Sequence, residues 1–237
     1  MRHSTTKHLN DIIPAYTERL ELIRESIVWY SVLKESVLDL NIPDHPVARC
    51  ILYNELVLNL KGTIIIAKMD LATIIKNIRL TKNKWEKAYY FRQGSLLIYE
   101  FINTYNKQNK IISPVLKKSY PDIYELYVQH SVKLREFKRL YKYDSEMAQL
   151  RNNTSAHISD NIFKYCLIIS KINPVAVKKC MVDFSQFLSE LEKLQSEIEI
   201  NFLNEVLALN GKTFESYIKE DYSSDKFKRL KLPKMLK

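Results

Sequence analysis

From Val177 to Val206 the apolar residues return every three or four positions, through Cys180, Met181, Phe184, Phe187, Leu188, Leu191, Leu194, Ile198 and Phe202. Only a helix places such a series on one face, and a stripe of this length needs other apolar surfaces to cover it. The remaining chain can supply them as helices. It has only 3 Gly and 7 Pro in 237 residues and is rich in Leu, Ile, Lys and Glu, a composition that favours helix throughout. The expected fold is all-α, a bundle of about six to seven helices. The length is enough for one sizeable core. The expected organisation is a flexible start at 1–10, a helical domain at 11–209, and a short helix with a basic tail at 210–237.

Local punctuation divides the bundle. Pro14 after Asp11 predicts a helix entrance, with Leu20, Ile23, Ile27, Tyr30, Val37 and Leu38 on one stripe ending at Asn41-Ile42-Pro43. Asp44 and Pro46 then cap and open a second helix to about Arg79, expected to be buried through Leu56, Val57, Leu60, Ile64, Ile65 and Ile66. Gly62 within it lowers helix stability unless it serves close packing. After a loop at Thr81-Lys82-Asn83, a third helix runs from Lys84 to about Tyr105 with Trp85, Tyr89, Leu96, Tyr99 and Ile102 facing inward. A basic loop at Asn106–Ile112 and a short turn at Ser113-Pro114 lead to Pro121. From there a helix carrying Tyr124, Tyr127, Val128, Leu134, Phe137 and Tyr141 runs on towards Leu150. A further helix spans Ile158–Ile172, and Asn173-Pro174 starts the long striped one by cap-and-proline logic. Asn210-Gly211 stops it, and Thr213 caps a last short helix through Ile218.

Composition narrows the function classes. Cys50, Cys166 and Cys180 are odd in number and far apart, which reads as buried thiols in a reducing compartment, with no disulfide framework and no zinc site. The start lacks a signal-peptide apolar core and there is no run of 18 apolar residues, so a cytoplasmic protein without a membrane span is expected. The net charge of +10 suits an anionic partner, nucleic acid above all. The same lysine-rich balance is equally what an AT-rich genome encodes. No glycine-rich phosphate loop, Rossmann fingerprint or histidine pair calls for a cofactor or metal.

The segment Leu150-Arg151-Asn152-Asn153-Thr154-Ser155-Ala156-His157-Ile158-Ser159 interrupts this helical pattern with side chains that bond nearby backbone, predicting a kink or cap. A forked permanent cation and a residue that exchanges a proton near neutral pH thus share a helix junction, a pairing suited to phosphodiester chemistry. Arg151, Asn152 and His157 resemble the signature of the HEPN superfamily, in which an Arg, usually followed by a polar residue, precedes a His by four to six residues. Arg2 and His8 have the same spacing but sit in a polar terminal segment. Ser159 stands where one subgroup of the family has a Tyr, which sets this chain apart from that subgroup.

The resemblance implies a helical domain of four or more helices that acts as a metal-independent endoribonuclease. Family members are often dimeric and serve in toxin–antitoxin, abortive-infection and antiphage systems. On that footing Arg151, Asn152 and His157 are the expected catalytic group, and the expected partners are RNA, a second copy of the chain, and an antitoxin or defence protein. Arg92, Lys138, Arg139 and Lys142 are the candidate RNA-binding residues. Each has a plainer reading: Arg92 pairs with an acid such as Glu100, and the others form a solvated basic face beside tyrosines that dip into the core. Asp144, two turns before Arg151 if the helix is continuous, either orients the guanidinium or is a surface charge. The non-enzymatic alternative for the whole chain is a helical module that binds RNA or a protein.

Overall fold

The computed structural model describes residues 2–39, 46–154, 167 and 169–209. Among these the protein is all-α: α1 (Arg2–Asp39), α2 (Pro46–Leu80), α3 (Lys84–Ser119), α4 (Pro121–Leu140), a π-helical turn (Tyr143–Met147), α5 (Ala148–Thr154) and α6 (Pro174–Leu209). No strand occurs among the described residues. The chain divides into two compact units, Met1–Gln195 and Ser196–Lys237. The described part of the second is the end of α6, where Ile198 and Phe202 are buried.

Several boundaries follow from local chemistry. Asn83 caps α3, its Oδ1 accepting from the backbone N–H groups of Trp85 at 2.8 Å and Glu86 at 3.3 Å. Asn173 caps α6 in the same way, accepting from Val175 N at 3.0 Å and Ala176 N at 3.2 Å. Each bond satisfies a donor that the first helical turn leaves open. Pro121 opens α4, where its missing N–H costs nothing.

Two prolines behave otherwise. Pro14 lies inside α1, which starts at Arg2 rather than at Asp11, and Pro114 lies inside α3, which continues to Ser119 through the expected loop at Asn106–Ile112. Both prolines are exposed, as are Asn10 and Lys110 four residues before them. The carbonyl that each ring displaces is therefore on the water side, where solvent satisfies it. Burial of Tyr105, Ile112 and Leu116 carries α3 past its proline.

The first unit packs α1 along α2 and α2 along α3, and α6 joins them. Glu192 of α6 accepts from Arg19 of α1 at 2.6 Å and from Lys68 of α2. Burial alone would raise the Glu192 carboxyl, but the two cationic hydrogen bonds outweigh it and hold it below the usual range. Phe184 of α6 is fully buried, with its ring centre 5.3 Å from Phe101 of α3 and 5.9 Å from Phe137 of α4. At Gly94 of α3 the side chain of Met181 from α6 comes close, and an added Cβ would stand 2.5 Å from its Sδ. Gly62 has no such need: a Cβ there meets Ile23 Cγ2 at an ordinary 3.8 Å.

The inward face of α3 is offset from the expected one. Phe91, Ser95, Ile98, Phe101, Ile102 and Tyr105 are buried, whereas Trp85 and Tyr89 are 66% and 47% exposed. Similarly Ile66 of α2, Ile27 of α1 and Val128 of α4 are exposed, while Leu58 and Ile123 are buried. The α6 stripe is buried as expected from Cys180 through Phe202 at the described positions. Cys180 has its thiol pushed up to about 12, by burial and then by the Asp183 carboxylate, so it is inert at neutral pH.

His130 of α4 is buried in the bundle. Its ring lies 4.3 Å from that of Phe187, and Nε2 is 3.4 Å from the Phe187 carbonyl, which accepts its proton. Nδ1 is buried with no hydrogen-bond partner. Burial lowers its affinity for a proton; the Phe187 carbonyl and Glu190 oppose this, and Lys133 adds to it. A folded-state value below the ordinary 6.5 means that the unfolded chain binds the proton more readily, so His130 makes stability fall as pH drops below about 6.5. Melting from pH 7.5 to 5 should therefore show a steeper loss in the wild type than in His130→Phe. Parallel curves would refute this.

Candidate functional site

The junction is built by a break in α4. The helix ends at Leu140, and Lys142 takes a left-handed conformation with φ 46° and ψ 48°, unfavourable for a residue with a Cβ. Its carbonyl then accepts from the N–H groups of Ser145, Glu146 and Met147 at 3.2, 2.9 and 3.4 Å. This knot starts the π turn, a form with one residue more per turn than α. The continuous helix expected from Pro121 towards Leu150 is thus replaced by two helices and a reset between them.

Tyr143 and Met147, both buried, fasten the π turn to the bundle. The Tyr143 ring stacks on Tyr99 of α3 with centres 4.8 Å apart, and its hydroxyl donates to the Tyr99 carbonyl at 3.1 Å. Burial pushes the Tyr143 phenol up, and Tyr99, Asp144 and Glu100 push it further, so it stays a neutral donor. Tyr99 is directly followed by Glu100, and this is where the arginine arrives: Arg151 Nε donates to Glu100 Oε1 at 3.0 Å. Arg151 Nη1 also reaches Asn152 Oδ1 at 3.4 Å.

Arg151 and Glu100 have side chains 44% and 50% exposed. An ion pair so open to water adds little to stability. What it does is restrict direction: it grips the guanidinium at Nε, with Nη1 turned to Asn152, on a side chain still 44% open to solvent. Glu100 therefore partners Arg151. Asp144 is paired with Lys138 at 3.4 Å rather than orienting Arg151.

The candidate RNA-binding residues fall in two places. Lys138 lies 4.6 Å from the Tyr143 ring centre, which brings it to the junction. Lys142 is also there, exposed and bonded to Glu146 Oε1 at 2.6 Å, and Arg139 is exposed in the last turn of α4. Arg92 is apart from them on α3, its guanidinium 4.9 Å from the Tyr89 ring centre. His157 and the segment around it lie outside the described residues, as do most of the expected helix at Ile158–Ile172 and the tail from Asn210. Among the described residues no group of three His, Cys, Asp or Glu side chains is placed to hold a metal, and no helix is long and apolar enough to cross a membrane. Comparison with protein-family models, curated proteins and solved structures finds no match to the chain.

Proposed function

We propose that this chain is an HEPN-like, metal-independent endoribonuclease, its site formed by Arg151, Asn152 and His157. What carries the reading is Arg151 itself: a surface guanidinium, gripped through Nε by Glu100 and followed by Asn152, with five residues between it and His157. In the proposed reaction the ribose 2′-hydroxyl attacks the adjacent phosphorus as His157 takes its proton. The bond from phosphorus to the 5′ oxygen breaks, that oxygen leaves with a proton, and a 2′,3′-cyclic phosphate remains. Arg151 offsets the charge that builds on the phosphorane, and Asn152 positions the phosphate or the neighbouring backbone. The ribose supplies the nucleophile, so the scheme needs no cofactor. Two copies in a homodimer would bring a proton acceptor and a proton donor to one groove, and a toxin or antiphage role with a cognate antitoxin or defence protein fits the same family.

One observation favours a second reading, a noncatalytic module that binds RNA or protein. Arg151, Lys138 and Lys142 already have acidic partners in Glu100, Asp144 and Glu146. The two readings separate in one assay: the purified chain, treated with a chelator, is incubated with single-stranded RNA and with DNA of the same sequence. The expected result is cleavage of the RNA alone, with cyclic-phosphate ends. Strict magnesium dependence, or binding with no cleavage, would leave the module.

A further inference from the structure

The outward face of α3 carries an aromatic surface that is exposed rather than packed among the described residues. Trp85 is 66% exposed and Tyr89, one turn later, 47% exposed, with Leu80 at 58% just before the helix. Burial is what ordinarily stabilises such rings, so their position in water needs another account. Tyr89 is also held in place: Arg92 lies 4.9 Å from its ring centre on the same helix, and Tyr90 meets it edge-on at 5.3 Å.

Charge narrows the occupant. From Arg79 to Arg92 the chain has five cations, Arg79, Lys82, Lys84, Lys87 and Arg92, against one acid, Glu86. That acid is engaged by the Thr81 hydroxyl. Aromatic rings set among cations match a ligand that is itself planar and anionic, which describes a nucleic-acid strand. Spacing narrows it further. A four-residue step separates the two rings by about 6 Å along the helix, whereas stacked neighbouring bases lie about 3.4 Å apart. Two rings so spaced accept splayed, unpaired bases and not a duplex.

Position ties this surface to the candidate site. Tyr89 and Glu100 are eleven residues apart on α3, three helical turns, which puts them on the same face with about 16 Å between them. Glu100 is the residue that grips Arg151.

We propose that Trp85 and Tyr89 form a stacking platform for unpaired RNA bases, along which a single strand reaches Arg151. The strand's direction towards Arg151 rests on the ribonuclease reading; the platform rests on exposure, charge and spacing.

The test uses the full chain carrying Trp29→Phe, so that Trp85 is its one tryptophan. It is titrated with a 2′-O-methyl RNA octamer, which has no free hydroxyl to attack phosphorus and cannot be cut by this route. Trp85 fluorescence should be quenched on binding. Trp85→Ala with Tyr89→Ala, read by anisotropy of a labelled octamer, should weaken affinity at least about tenfold with an unchanged melting temperature, because both rings are exposed. A blunt duplex should compete poorly. Unchanged affinity in the double variant overturns the platform, and so does equal binding of the duplex. A Trp85 response to anionic lipid vesicles with none to the octamer overturns it as well, in favour of a membrane surface. The readings fail separately: quenching by the octamer without cleavage of ordinary RNA sinks the ribonuclease and keeps the platform. Cleavage and octamer affinity both unaffected by the double variant do the reverse.

Discussion

On the proposed ribonuclease reading, His157→Ala should lower RNA cleavage by about 10²–10⁴-fold while leaving affinity for RNA nearly intact, the expected signature of a lost proton-transfer group. Arg151→Ala, in contrast, should weaken both affinity and turnover, since a guanidinium that meets the phosphate in the ground state also meets it in the transition state. Glu100→Gln sharpens the comparison. It keeps the shape of the Arg151 partner but removes the charge that holds Nε, so turnover should fall less than with Arg151→Ala. Neither Arg151→Ala nor Glu100→Gln should shift the melting temperature by much, because both residues are exposed and open ion pairs contribute little to stability. His8→Ala, at the competing Arg-and-His spacing in the N-terminal segment, serves as the control and should cleave like wild type. Full activity in His157→Ala would remove that residue from the chemistry, and loss of fold in Arg151→Ala would make the arginine structural.

The largest effect on stability is expected at Phe184. Its side chain is fully buried between Phe101 of α3 and Phe137 of α4, with Phe187 6.2 Å away on its own helix. Truncation to alanine removes apolar contacts with three elements at once and leaves a hole that rigid neighbouring rings cannot close. A loss of about 3–5 kcal/mol in urea unfolding should follow. Trp85→Ala, an aromatic truncation at an exposed position, should change stability little. A loss below about 1 kcal/mol at Phe184 would mean that the α3–α4–α6 seam is not the core of the first unit.

What the sequence could disclose was set by how far each determinant reaches along the chain. The cap at Asn173 and the start at Pro121 were legible because each is set by residues within one helical turn, whereas Asn83 read only as part of a loop and proved to be the cap of α3. The α6 stripe was legible because its period repeats over many turns. Pro14 and Pro114 misled for the opposite reason: a proline reads locally as a boundary, but its cost depends on which side of the helix meets water. On α3 the aromatic residues Trp85 and Tyr89 were mistaken for core, since hydrophobicity alone does not say whether a ring is packed or presented. The pairing of Arg151 with Glu100 joins positions 51 residues apart and left no pattern to find. The Arg151 motif was visible as spacing, but with His157 outside the described residues only its arginine half has acquired surroundings.

The π turn makes the direction of Arg151 a matter of counting. One extra residue in a turn retards everything that follows by about 100° around the axis, and Arg151 comes right after that turn. Substitutions between Tyr143 and Met147 that keep both buried anchors and the backbone N–H groups bonded to the Lys142 carbonyl should leave the phase intact. Losing a single residue there would restore ordinary winding and swing the guanidinium about a quarter turn away from Glu100, with every side chain of the site still present. In this protein the length of a five-residue segment is thus as much a part of the candidate site as the residues that face the solvent.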